Sequence, residues 1–238
     1  MKPFILCIIF LISLTADSLA QLERERVVTD QFVELTFMAP RNINLFTVET
    51  LSKGELHYSI MHTFGEVESG ARNLWGIDQG ANVRFSFEYG FGDRISLGFG
   101  RSSLDKVYDI HARWAILRQK QISTPVSVIL APSVGITTGS FGFLDQDYSF
   151  SDRISYSAAL PIARKFSNEL SLQLVPMITH FSRTGAELNI ADPDTDTYFS
   201  IGFSGRLKVL PRSALTLQAI PPVTNAENLD WNVGIGID

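Results

Sequence analysis

The sequence predicts an all-β protein, an antiparallel up-and-down transmembrane β-barrel of about ten strands. Three observations predict it. Residues 82–101 alternate through two strands and a tight turn, with Val83, Phe85, Phe87, Tyr89 and Phe91 on one side and Arg84, Ser86, Glu88 and Gly90 on the other. A period of two marks a strand, because successive Cβ atoms project to opposite faces. Charged residues make up only 19% of a chain whose mean hydropathy is slightly positive, yet no apolar run after residue 20 reaches the ~18 residues of a membrane helix. Strands that face lipid on alternate residues reconcile the two. Finally, short and long connections alternate along the chain, as in a barrel with tight turns at one rim and longer loops at the other.

The chain opens as a secretory signal over Met1–Ala20. Lys2 supplies the positive start, Phe4–Leu14 is an apolar stretch too short to span a bilayer, and Ser18-Leu19-Ala20 fits a cleavage site. The mature chain is expected to begin near Gln21 and to reach the outer membrane of a Gram-negative cell. The single cysteine, Cys7, lies inside the signal, so the mature chain has no disulfide framework, thiol nucleophile or thiolate metal site. A net charge of −5 argues against a nucleic-acid partner, which would call for a basic footprint. Residues 21–53 come next. Glu23-Arg24-Glu25-Arg26 is a solvated charge run. The segment holding Phe32, Leu35, Phe37, Pro40 and Asn42–Thr50 reads as periplasmic, as a leading strand, or as a plug in the lumen.

The barrel is assigned to 54–238. Its first strand, Glu55–Phe64, sets Leu56, Tyr58, Ile60 and His62 on one face. The second and third are the pair described above, the third with Ile95, Leu97 and Phe99 outward. The fourth, Val107–Leu117, sets Tyr108, Ile110, Ala112, Trp114 and Ile116 against Asp109, His111 and Arg113. The fifth, Pro125–Thr138, turns Val126, Val128, Leu130, Val134 and Ile136 outward. The sixth, Arg153–Lys165, alternates Ile154, Tyr156, Ala158, Leu160 and Ile162 with Ser155, Ser157 and Ala159. The seventh, Leu170–Phe181, has the weakest alternation. The eighth sets Phe199, Ile201, Phe203, Leu207 and Val209 against Ser200, Gly202, Ser204, Arg206 and Lys208. The ninth, Ala214–Pro221, is short, and the tenth opens at Trp231 with Val233, Ile235 and Ile237 on one face.

Tight links at Gly92-Asp93-Arg94, Ser167-Asn168-Glu169 and Pro211-Arg212-Ser213 follow even-numbered strands, as does the intermediate Arg118–Thr124. Long ones near 65–80, 139–152, 182–196 and 222–229 follow odd-numbered strands, with Ser102–Lys106 the one short exception. The Greek-key links of a secreted β-sandwich binding module, the alternative architecture, break such parity. Hydrocarbon leaves no backbone group without a partner, so closure is expected. Tyr89, Phe91, Tyr108, Phe166, Phe181, Tyr198 and Trp231 near strand ends suit an interfacial girdle. The chain stops at Ile237-Asp238 within an alternating run, and the expectation is a piece of a barrel with twelve strands when complete.

Asn44–Thr50 with Gly54, His62-Thr63-Phe64-Gly65, Leu74-Trp75-Gly76-Ile77-Asp78, Tyr89-Gly90, Asp93-Arg94, Gly98-Phe99-Gly100-Arg101-Ser102 and Asp105-Lys106 together resemble a family of Bacteroidota outer-membrane β-barrels of unknown function. The resemblance spans about residues 40–238. Thr63 departs from it, since the family tends to carry arginine after the histidine. The resemblance implies location and architecture and brings no activity, ligand or catalytic residue. It also implies further strands past residue 238.

Candidate site residues form an inward polar cluster: Arg84, Glu88, Asp109, His111, Arg113, Arg206 and Lys208. Such charges either make a polar filter or neutralise one another to fill a small lumen. Small inward residues, among them Gly98, Gly100, Gly202, Gly234 and Gly236, either leave a water path or make room for long side chains. No catalytic residue, metal site or cofactor is expected. Asp192, Asp194 and Asp196 lack the glycine and terminal glutamate of a calcium loop. An outer-membrane lipid hydrolase is the alternative enzyme reading, and His180 with Ser182 is its one local pair. The expected role is small-solute passage or binding, porin-like, or a scaffold. The expected partners are outer-membrane lipid and either a small solute or a periplasmic protein.

Overall fold

The computed structural model describes residues 29–65, 69–139, 149–182, 197–221 and 232–238. The expected leader, the charge run at 23–26, Trp231 and the acidic triplet at 192–196 lie outside the described residues. Gln31–Asp238 forms one compact unit. Among its described residues no helix is long and apolar enough to cross a membrane.

Two short strands come first, β1 (Arg41–Asn42) and β2 (Leu45–Phe46), paired as a tiny antiparallel hairpin with its tip at Ile43-Asn44. The main sheet follows: β3 (Leu56–Thr63), β4 (Asn82–Gly92), β5 (Ile95–Ser102), β6 (Val107–Leu117), β7 (Ser127–Thr137), β8 (Ile154–Ala159), β9 (Ile162–Lys165), β10 (Leu170–Phe181), β11 (Thr197–Leu210), β12 (Ser213–Ile220) and β13 (Asn232–Ile237). Its order is sequential from β3 to β13 and every pairing is antiparallel. Each predicted strand is present. The sixth is divided into β8 and β9 at Leu160-Pro161, where proline has no N–H to give the ladder; the carbonyls of Pro161 and Pro176 accept there from Ile129 and Leu160 instead. The sheet ends at β3 on one side and β13 on the other.

Burial follows the predicted parity. Along β4 and β5 buried and exposed residues alternate, so the aromatic face is the open one. The registers align a continuous outer band, Tyr58 beside Phe87, then Phe99, Ile110, Val134 and Tyr156. Each such cross-strand pair contributes ~0.2–1 kcal/mol. Two girdle expectations are corrected. Phe181 and Tyr198 stand on the inner parity of β10 and β11, edge to face with ring centroids 6.0 Å apart. Phe166, Phe91, Tyr89 and Tyr108 are exposed near strand ends as expected.

The core lies on the inner face, and residues 36–51 supply four of its eleven buried hydrophobic side chains, Phe37, Leu45, Val48 and Leu51, among the described residues. Phe37 and Val48 pack with Ala115, Ile129 and Ala163. Leu45 packs with Ala131, Ala159 and Val175. The segment enters at the short-turn end, where Val33 N donates to Gln119 O and Lys165 Nζ to Glu34 O. It rises to the hairpin and returns to the same end, where Thr50 Oγ1 donates to Asp93 O and Gly54 N to Gly90 O.

Candidate functional site

Three strands place one polar chain on the inner face. Glu88 on β4, Ser96 on β5 and Asp109, His111 and Arg113 on β6 share a parity, and the register sets Gly98 opposite both Glu88 and His111. A Cβ at Gly98 would meet the His111 ring at 2.1 Å and one at Gly100 would meet Arg84 Nη2 at 2.2 Å. These glycines therefore make room for neighbouring side chains, the second of the two readings of the small inner residues.

Arg84 holds Asp109 with two bonds, Nη2 to Oδ1 at 2.7 Å and a second from Nη1 to Oδ2. His111 Nδ1 stands 3.4 Å from Asp109 Oδ1, and its Nε2 lies 3.7 Å from Glu88 Oε2. Glu88 accepts from Arg113 Nη1 at 3.0 Å and from Ser96. Five of the seven expected residues thus form a relay from Arg84 to Arg113. Arg113 is fully buried, which is sustained only because its charge is paired and hydrogen-bonded.

Arg206 and Lys208 do not join it, which corrects the expected cluster. Arg206 Nε pairs with Asp238 Oδ2 at 3.1 Å, and Lys208 is exposed near Pro211 and Arg212. Both sit past the middle of β11, at the short-turn end, whereas the relay occupies β4–β6. His180 is on the outer parity, stacked on Tyr156, with Nδ1 2.9 Å from Thr197 Oγ1.

The relay grips the hairpin. Arg113 Nη2 donates to the carbonyls of Thr47, at 2.8 Å, and Glu49. Gln173 Nε2 donates to Phe46 O at 2.9 Å, and Gln218 Oε1 accepts from Asn44 N and Leu45 N at 3.0 and 3.1 Å. The Phe46 ring lies under Arg41 Cζ at 3.8 Å and beside His111 at 5.3 Å. Gly202 and Gly234 seat the tip, since a Cβ there would come within 2.7 Å of Leu45 and 2.9 Å of Ile43. Sequence reasoning missed Arg41, Gln173 and Gln218. Its available signal was a long amide at an inner position in β10 and in β12, amid serines and alanines.

Burial pushes the Glu49 carboxyl above its ordinary value, against the pull of the Phe37 and Thr36 N–H groups and of Arg113 and Lys165. Burial, with Arg84 nearby, lowers Arg41 to about 10. Between the hairpin and β6–β10 lies a cavity of about 310 Å³, lined by Arg41, Asn44, Phe46, Arg84 and Asp109 on one side and by Ser133, Ser155, Ser157 and Thr179 on the other. Among the described residues no group of three or more potential metal ligands converges. The arrangement can bind and hold.

No curated protein and no solved structure matches the chain. Residues 37–238 match a family described as a membrane-bound β-barrel domain (DUF5777). The match begins at Phe37, so it includes the hairpin as well as every strand of the main sheet. With an apolar outer band, a polar inner face and this match over most of its length, the chain belongs to the membrane-bound β-barrel domain family.

Proposed function

We propose that the protein is an exported outer-membrane barrel whose lumen is governed by its own hairpin, and that it binds and passes a small solute without chemistry. The occupied inner face carries this reading: Thr47 and Arg113 are fully buried against each other where an open pore would hold water. An eight-stranded barrel is filled by side chains and sixteen strands leave a channel; at about ten strands, a two-residue-wide hairpin fills the difference. The leader-like start and the alternating connections support export and an orientation with the short turns, and so both ends of the hairpin, on the periplasmic side.

The test uses the natural absence of cysteine after Cys7. In a Leu45→Cys/Gly202→Cys variant the two side chains start close enough to bridge. In planar bilayers, the disulfide form is expected to stay closed and its reduced form to show discrete openings. Equal conductance in both states would overturn the reading.

A further inference from the structure

We propose that the cavity beside the hairpin is a binding site for a small organic anion with hydroxyl groups, its carboxylate or phosphate held by Arg41. The proposal rests on the solute-binding role above and names the class of solute.

The charges around the cavity do not balance. Two guanidinium groups and one carboxylate line it. Arg84 spends its fork on Asp109 through two parallel bonds. Arg41 has no carboxylate partner among the described residues; it lies over the Phe46 ring and donates Nη1 to Asn44 O at 3.3 Å. A guanidinium has five N–H donors in a fixed fork suited to two oxygens of one anion. Most of those of Arg41 are unspent; across the site Arg84 and Arg113 repel it while Asp109 and Glu88 attract it from where they are already paired. An anion there would offset that repulsion in a setting of reduced dielectric, where a charge-assisted bond is strong.

The opposite wall suits the rest of such a solute. Ser133 and Ser157 hydroxyls bond each other at 2.6 Å, which leaves one hydroxyl hydrogen of the pair to give away. Ser155 and Thr179 also face the cavity. Phe46 and Met177 add apolar surface. Charge at one end, hydroxyls at the other and a volume near the lower bound for ligand sites select a solute of sugar-acid or sugar-phosphate size.

Isothermal titration calorimetry on the full mature chain in detergent tests this with gluconate, glucose 6-phosphate and glucose. Binding of either anion, with glucose at least about tenfold weaker, is the expected result. Which anion binds distinguishes a carboxylate from a phosphate site. Arg41→Gln should lower anion affinity about tenfold or more. Because Arg41 is on the hairpin, Ser155→Val and Thr179→Val, on the wall alone, should each weaken binding several-fold. Equal binding of all three probes, no binding of either anion, or unchanged affinity in all three variants overturns the proposal. The disulfide conductance test reads the hairpin independently, so a gated but anion-indifferent barrel would refute this site and leave the gating reading standing.

Discussion

Glu49 links the hairpin to solution conditions. Its carboxyl accepts from Phe37 N at 3.0 Å while burial holds its pKa above the ordinary 4.5. Between those two values the folded chain binds more protons than the unfolded one. Stability attributable to Glu49 therefore increases as pH falls through the raised value and levels off below about 4.5. Thermal melting of the wild type should show this rise relative to Glu49→Gln, and parallel pH profiles would refute it. The polar relay was partly legible at this scale. Arg84, Glu88, Asp109, His111 and Arg113 could be placed together because β4 and β6 flank a single strand, β5, and short connections on either side of it fix their parity. Arg206 and Lys208 share that parity but lie on β11, several strands further along the sheet, and a period of two says nothing of which distant strands bring their side chains together. What the relay is for was not legible either, because Arg113 bonds the backbone of Thr47, sixty-six residues away.

The hairpin is the element that alternation alone could not find. It is too short to show a period, with two residues in each arm, and its tip puts Ile43 at φ +54°, a conformation costly for a β-branched residue. Its seat compensates. Gly202 and Gly234 yield the space a side chain would fill, and Leu45 enters a pocket of Ala131, Ala159 and Val175. The seat also explains why β10 alternates weakly: Val175 and Met177 are apolar on the inner face because the hairpin packs there, not because the strand is irregular. Gly202→Val should therefore displace the tip, at a cost of about 1–3 kcal/mol from overpacking. Gly205→Ala, on the outer parity, should leave it in place. Hydrogen exchange over residues 41–47 reads the difference; equal protection in the two variants would count against the seat.

For the whole molecule, strand number, order and connection parity were all legible, since lipid on one side and polar filling on the other impose the same two-residue rule on every strand. Closure, expected from the membrane environment, does not follow from that rule, which is indifferent to which edge meets which; among the described residues the sheet runs from β3 to β13 without a pairing between the two. The exposed band, with Phe87, Phe99, Ile110 and Trp114 each about half or more accessible, far exceeds the apolar patch a water-soluble monomer carries. Folded protein should therefore require amphiphile. Without boiling it should migrate faster in gel electrophoresis than after boiling, and it should precipitate when detergent is diluted below its micelle threshold. A monomer that stays folded in plain buffer would exclude the membrane barrel.

The amides of Asn44 and Leu45 reach their acceptor across 174 and 173 residues. Contacts of such separation form late in folding, after most of the intervening loop entropy has been lost. A nascent barrel lacking β12 has no Gln218 to receive them. Seating of the tip is thus an internal signature that β12 has joined the sheet, in which a segment ahead of the first main strand reports the arrival of a strand far along it.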